Sequence, residues 1–242
     1  VGAGALWLLW LGLSGAGGGK PRVDAQALGE AIRSARAGEP RFASSASYAH
    51  FLRARLLHDL GEHRAAVDQL LLARATDPDS PALAVALAEE WARLGEPARA
   101  EAELKSLLQR HPDNHPGQLL LGRVLLEQQR HARAGVHLRR ARALLPEDPA
   151  AWLALVQLHV ELRQYDEAAL VAEGLAAVRP GEVGALRRLG GWLASQGEVA
   201  RAGPLLARAV ELGPRDGRAW CELSRFLAAG GRWEEAHAAW DR

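Results

Sequence analysis

Nine histidines and a single cysteine, Cys221, are the side chains here best suited to metal binding or nucleophilic chemistry. His111 and His115 stand four apart, but Pro112 and Pro116 break any helix that would put them on one face. His58 and His63 flank Gly61 and read as residues at the edges of a turn. No His-Glu-x-x-His run, cysteine pair or Asp-rich loop accompanies them, so surface and turn histidines are expected, and no metal site. Gly15 and Gly17-Gly18-Gly19 lack the Lys-Ser/Thr pair of a phosphate cradle, and no Gly-x-Ser-x-Gly elbow occurs. Cys221 follows Trp220 and reads as a small packing residue. The expectation is a chain with no catalytic residues and no cofactor, and so not an enzyme.

Charge points the same way. Thirty basic and 29 acidic residues leave a net charge of +1, against the basic face of a nucleic-acid binder. Arg139-Arg140-Arg142 and Arg187-Arg188 are the densest basic clusters and read as solvated helix faces. Good helix formers dominate and no segment alternates as a strand does, so the elements must be helices. A lone cysteine excludes an internal disulfide framework.

What positions the side chains is a period. Pro78, Pro112, Pro146, Pro180 and Pro214 recur every 34 residues. So do Ala66, Ala100, Ala134, Ala168, Ala202 and Ala236, and, four residues on, Leu70, Leu104, Leu138, Ala172, Leu206 and Trp240. Proline cannot continue a helix, so its column marks where one repeat ends. The alanine column supplies the near-absent side chain that two close helices need. The third column is the next turn of the same face. Gly61, Gly95, Gly197 and Gly231 fall at multiples of 34 and predict left-handed helix ends. Leu83, Leu87 and Trp91 form one amphipathic stripe before the break at Gly95-Glu96-Pro97, and Ala100, Leu104, Leu107 and Leu108 form the next.

A 34-residue helix–turn–helix with these marks resembles the tetratricopeptide-repeat (TPR) family. Trp152 and Trp220 match its first-helix tryptophan, Leu121-Gly122 and Leu189-Gly190 its central pair, and Tyr165 and Trp233 the aromatic opening its second helix. The first repeat departs most, with His50 and Arg53 where Trp and Leu are usual. The expected repeats are 47–80, 81–114, 115–148, 149–182, 183–216 and a partial 217–242. The resemblance implies an all-α fold, a right-handed α-solenoid of antiparallel helix pairs.

It also implies a site. In such solenoids the first helix of each repeat lines a concave groove. Carried onto this chain, one row of groove positions is Phe51, Val85, Leu119, Leu153, Arg187 and Cys221. The next is Arg55, Glu89, Arg123, Gln157, Gly191 and Arg225. The first row is mostly apolar and the second is rich in arginine, which suits a segment with apolar anchors and carboxylates. Neither row holds the Lys and Asn that clamp a C-terminal carboxylate in one subfamily. An alternative is that Val85, Leu119 and Leu153 only pack on neighbouring helices.

Upstream, Ala5-Leu6-Trp7-Leu8-Leu9-Trp10-Leu11-Gly12-Leu13 followed by Ser14-Gly15-Ala16 reads as a signal peptide or membrane anchor over residues 1–19. Residues 20–46 read as a linker and a capping helix with Asp24 as N-cap. The chain starts at Val1 and its last helix stops at Arg242 in mid-pattern, as in a fragment or processed form. The functional expectation is an interaction scaffold binding a protein or peptide segment, within a cell-envelope assembly or secretion complex. The location would be periplasmic or membrane-anchored, the alternative being cytoplasmic. A second reading is the substrate-recruiting arm of a larger enzyme, such as a glycosyltransferase.

Overall fold

Each helix of the chain starts and stops on chemistry that returns with the period. The computed structural model describes residues 44–179 and 182–241, all within one compact unit, Phe42–Arg242. The expected signal or anchor at 1–19, the helix capped by Asp24, Pro180, Gly181 and Arg242 lie outside the described residues. Among the described residues the elements are all α-helices. They are α1 Ser45–Asp59, α2 His63–Thr76, α3 Pro81–Arg93, α4 Pro97–Arg110, α5 His115–Glu127 and α6 His131–Leu144. Then follow α7 Pro149–Glu161, α8 Tyr165–Val178, α9 Gly184–Ser195, α10 Val199–Leu212, α11 Gly217–Ala229 and α12 Trp233–Trp240.

Four of the six first helices open on side-chain caps. Ser44 accepts from Ser47 N at 3.0 Å, Asn114 from Gly117 N at 2.8 Å, Asp148 from Ala150 N at 3.0 Å and Asp216 from Arg218 N at 3.0 Å. Pro81, Pro97 and Pro149 occupy first helical positions, where a missing N–H is harmless. Each first helix ends in the same closure. Glu62 N donates to Leu57 O, Glu96 N to Trp91 O, Arg130 N to Leu125 O, Gln164 N to His159 O, Glu198 N to Leu193 O and Arg232 N to Leu227 O, all at 2.8–2.9 Å. These are Schellman bonds, each spanning a left-handed residue. Gly61, Gly95, Gly197 and Gly231 supply φ of +74° to +80°; Gln129 and Arg163 take φ +59° and +57° at the two places where the period lacks glycine.

The core lies along the alanine and leucine columns. Ala66, Ala100, Ala134, Ala168 and Ala202 are fully buried, with Leu70, Leu104, Leu138 and Leu206 beside them. Helices pack chiefly on their chain neighbours, and successive first helices also touch: α3 on α5, α5 on α7 and α9 on α11. This is an α-solenoid of helix pairs. Three of the proline turns are fixed by a side chain of the following helix. Trp152 Nε1 donates to Pro146 O at 2.8 Å and Trp220 Nε1 to Pro214 O at 3.0 Å. Gln118 Nε2 does the same for Pro112 O at 2.7 Å, in a repeat that has no tryptophan at this position. At the far end Trp233 and Trp240 of α12 are each 65% exposed.

Candidate functional site

The two rows read from the sequence run along the first helices: Phe51 and Arg55 on α1, Val85 and Glu89 on α3, Leu119 and Arg123 on α5, Leu153 and Gln157 on α7, Arg187 and Gly191 on α9, Cys221 and Arg225 on α11. Contacts between α3 and α5, α5 and α7, and α9 and α11 bring the row positions on those helices next to one another.

The environments along the rows differ. Phe51 is only 8% exposed and belongs to the core shared by α1, α2 and α3, so it is packed rather than presented. Val85, Leu119 and Leu153 are half-buried against the core with one side left open. Cys221, expected as a packing residue, is exposed. It stands two residues, about 200° of helix rotation, from buried Ala219 and so turns away from the core.

The arginines divide by neighbourhood. Arg55 and Arg123 are exposed and have no ion-pair partner among the described residues. Glu89 pairs with Arg93 on its own helix at 3.6 Å. Arg187 lies 4.0 Å from Glu222, which also pairs with Arg225. That hydrogen bond raises the Arg225 guanidinium above its ordinary pKa. Beside this cluster is a cleft of about 470 Å³ lined by Gly191, Val199, Leu206, Glu222, Arg225 and Phe226.

A constellation absent from the sequence reading sits at the other end. His58, in the last turn of α1, and His63, the first residue of α2, meet Glu90 of α3. His58 Nδ1 contacts Glu90 Oε1 and His63 Nδ1 lies 2.8 Å from Glu90 Oε2. Glu90 is 3% exposed and both imidazoles are half-buried. Of the residues described, these three could hold a metal ion, with one donor atom from each within 4.8 Å of the others. The turn histidines were visible in sequence; the carboxylate, 27 residues beyond His63, was not.

Two tetratricopeptide-repeat family models match the chain, one over residues 125–189 and the other over residues 85–149 and 193–242. The chain belongs to the tetratricopeptide-repeat family. No curated protein matches it in sequence. Among solved structures it is similar to a thermophilic TPR protein of Thermus thermophilus, with 21% identity and a TM-score of 0.56, covering 76% of this chain and 100% of that one. It is similar to Pseudomonas aeruginosa PilF, at 20% identity and a TM-score of 0.62, over 80% of this chain and 88% of that one. It is also similar to YrrB, described as a TPR protein with an unusual peptide-binding site, at 19% identity and a TM-score of 0.53, over 85% and 98% of the two chains. These likenesses concern the fold. Arrays of this family typically serve as non-catalytic interaction scaffolds, and the repeats of this chain support a protein-interaction scaffold.

Proposed function

We propose that the first-helix face holds an extended or helical segment of a partner protein that offers apolar anchors and carboxylates. The observation that carries this is the placement of Arg55 and Arg123. Both are exposed and unpaired among the described residues, beside the half-open apolar surface of Val85, Leu119 and Leu153. Apolar contacts give such a segment affinity, and the guanidiniums select and orient its acids. The peptide-binding description of YrrB supports the same class of ligand. We place the scaffold in a cell-envelope assembly or secretion complex on the strength of residues 1–19 alone. Among the described residues no helix is long and apolar enough to cross a membrane.

A displayed library of short peptides, selected on the full chain, tests the ligand class. Peptides with spaced leucines or aromatics and interspersed Asp or Glu are expected to enrich. Arg55→Glu with Arg123→Glu is expected to weaken the winners by about tenfold, since exposed ion pairs are each worth under about 1 kcal/mol, and to flatten their salt dependence. Unchanged affinity in a double variant of unchanged helicity would remove these arginines from the site.

A further inference from the structure

We propose that His58, His63 and Glu90 form a binding site for a divalent transition-metal ion, zinc by ligand type, that ties the first helix pair to the second.

The argument starts from what the repeat puts at these positions elsewhere. One period on from His58, His63 and Glu90 stand Ala92, Pro97 and Val124. Two periods on stand Leu126, His131 and Leu158, and three on stand Val160, Tyr165 and Trp192. At this last junction Tyr165 and Trp192 meet ring edge to face, with centroids 5.6 Å apart. The fold's ordinary solution here is apolar packing. At the first junction all three positions are metal-ligating types instead, and their polar atoms converge.

The second step concerns charge. A buried carboxylate is costly unless an opposite charge meets it. Glu101, the other buried glutamate among the described residues, has that: Arg130 Nη1 at 2.6 Å and Lys105 Nζ at 2.7 Å. Those hydrogen bonds and charges hold its pKa below the ordinary value. Glu90 has no Lys or Arg within ion-pair distance among the described residues; its partners are two imidazoles. With the two imidazoles as neutral ligands, a divalent cation between the three groups would supply the positive charge that Arg130 and Lys105 supply to Glu101.

The geometry suits such an ion. The Schellman turn at Gly61, φ +77°, brings residues 58 and 63 to the same side of the hairpin, with ring planes inclined at 73°. Two imidazole nitrogens and a carboxylate oxygen are a zinc donor set, and a water would complete four-coordination. The histidine side chains are 28% and 25% exposed, which leaves that position and an entry path open to solvent. The site spans α1, α2 and α3, so binding would stabilise the first repeat, which departs most from the family pattern.

The test uses the full chain, stripped with a chelator and dialysed, then titrated with zinc chloride by calorimetry and followed by thermal melting. A single zinc ion per chain is expected, with a rise in melting temperature. His58→Ala and His63→Ala should each weaken zinc binding by about a hundredfold or more, beyond what loss of a group behind a ligand costs. His131→Ala, at the same register two periods on, should bind as the parent does. If an alanine variant melts early without metal, His63→Gln, which keeps a hydrogen-bonding group beside Glu90, replaces it. No saturable zinc uptake by the parent, or equal uptake by the His58 and His63 variants, overturns the proposal. The three groups would then be a hydrogen-bonded network alone.

Discussion

The crossing of α5 and α6 and the turn that joins them lie within one repeat, yet they constrain their residues in opposite ways. At the crossing, Gly122 sits so close to Leu138 that a Cβ would come within 2.5 Å of Leu138 Cδ2. Its backbone is ordinary helix, and only volume forbids a side chain. At the turn the space is open: the glycines in the equivalent place, Gly61, Gly95, Gly197 and Gly231, would have nothing within 4 Å of an added Cβ. Only the sign of φ restricts them, and Gln129 adopts that φ with its side chain exposed. Packing at the crossing is therefore a steric requirement. The turn is a conformational preference that the Schellman bonds on either side can override.

The steric half of this contrast is broken most forcefully at Ala134. It is fully buried in the core that α5 and α6 share. Ala134→Leu is expected to lose about 1–3 kcal/mol of stability. A urea midpoint that moved down at constant slope would report it, and a midpoint that did not move would mean the crossing is not close.

That closeness was legible in the sequence because alanine recurs there at every period, and burial of the column follows from it. The turn was only partly legible. Glycine marks four of its six occurrences, and nothing about Gln129 or Arg163 as residues announces a left-handed φ. The closing bonds of the helix ends, Arg130 N to Leu125 O and Gln164 N to His159 O, hold it. The candidate site shows the same division. The family resemblance put Arg55 and Arg123 in the second groove row, and in the structure both are exposed on their helices. It assigned Phe51 and Cys221 to one row and could not see that Phe51 is sunk into the core of α1–α3 while Cys221 faces solvent. Glu90 escaped because its partners come from another helix pair. Its column does carry the signal: Val124, Leu158, Trp192 and Phe226 follow it, and a glutamate among them needs a polar partner.

The conformational half is sharpened at the two turns without glycine. A left-handed residue with a Cβ costs about 1–2 kcal/mol, and glycine's greater freedom in the unfolded chain takes back about 0.5–1 kcal/mol. Gln129→Gly and Arg163→Gly are each expected to gain about 0.5–1 kcal/mol, roughly additively because they sit in different turns. Urea denaturation of both single variants and the double variant measures it. A loss on either substitution would show that the side chain, rather than the hydrogen-bonded frame, holds its turn.

The smallest effect tests whether the crossing is dry enough to move a proton equilibrium. His137 lies three residues beyond Ala134 on α6, and its Nδ1 is 2.8 Å from Oε1 of buried Gln118 on α5. Burial depresses its pKa below the ordinary 6.5; the charge of Lys105 adds to this, and that of Glu101 opposes it. With the folded value below the unfolded one, the unfolded chain binds the extra proton between the two. The contribution of His137 to stability is then fully present above pH 6.5 and is lost as pH falls through the folded value. His137→Gln keeps a hydrogen-bonding group toward Gln118 but cannot titrate. The stability difference, parent minus variant, should therefore shrink from pH 7.5 to pH 5, with the remaining histidines cancelling in the subtraction. Parallel curves for the two proteins would mean that water reaches the ring as freely when folded as when unfolded, and that the crossing is close at Ala134 but open one turn on.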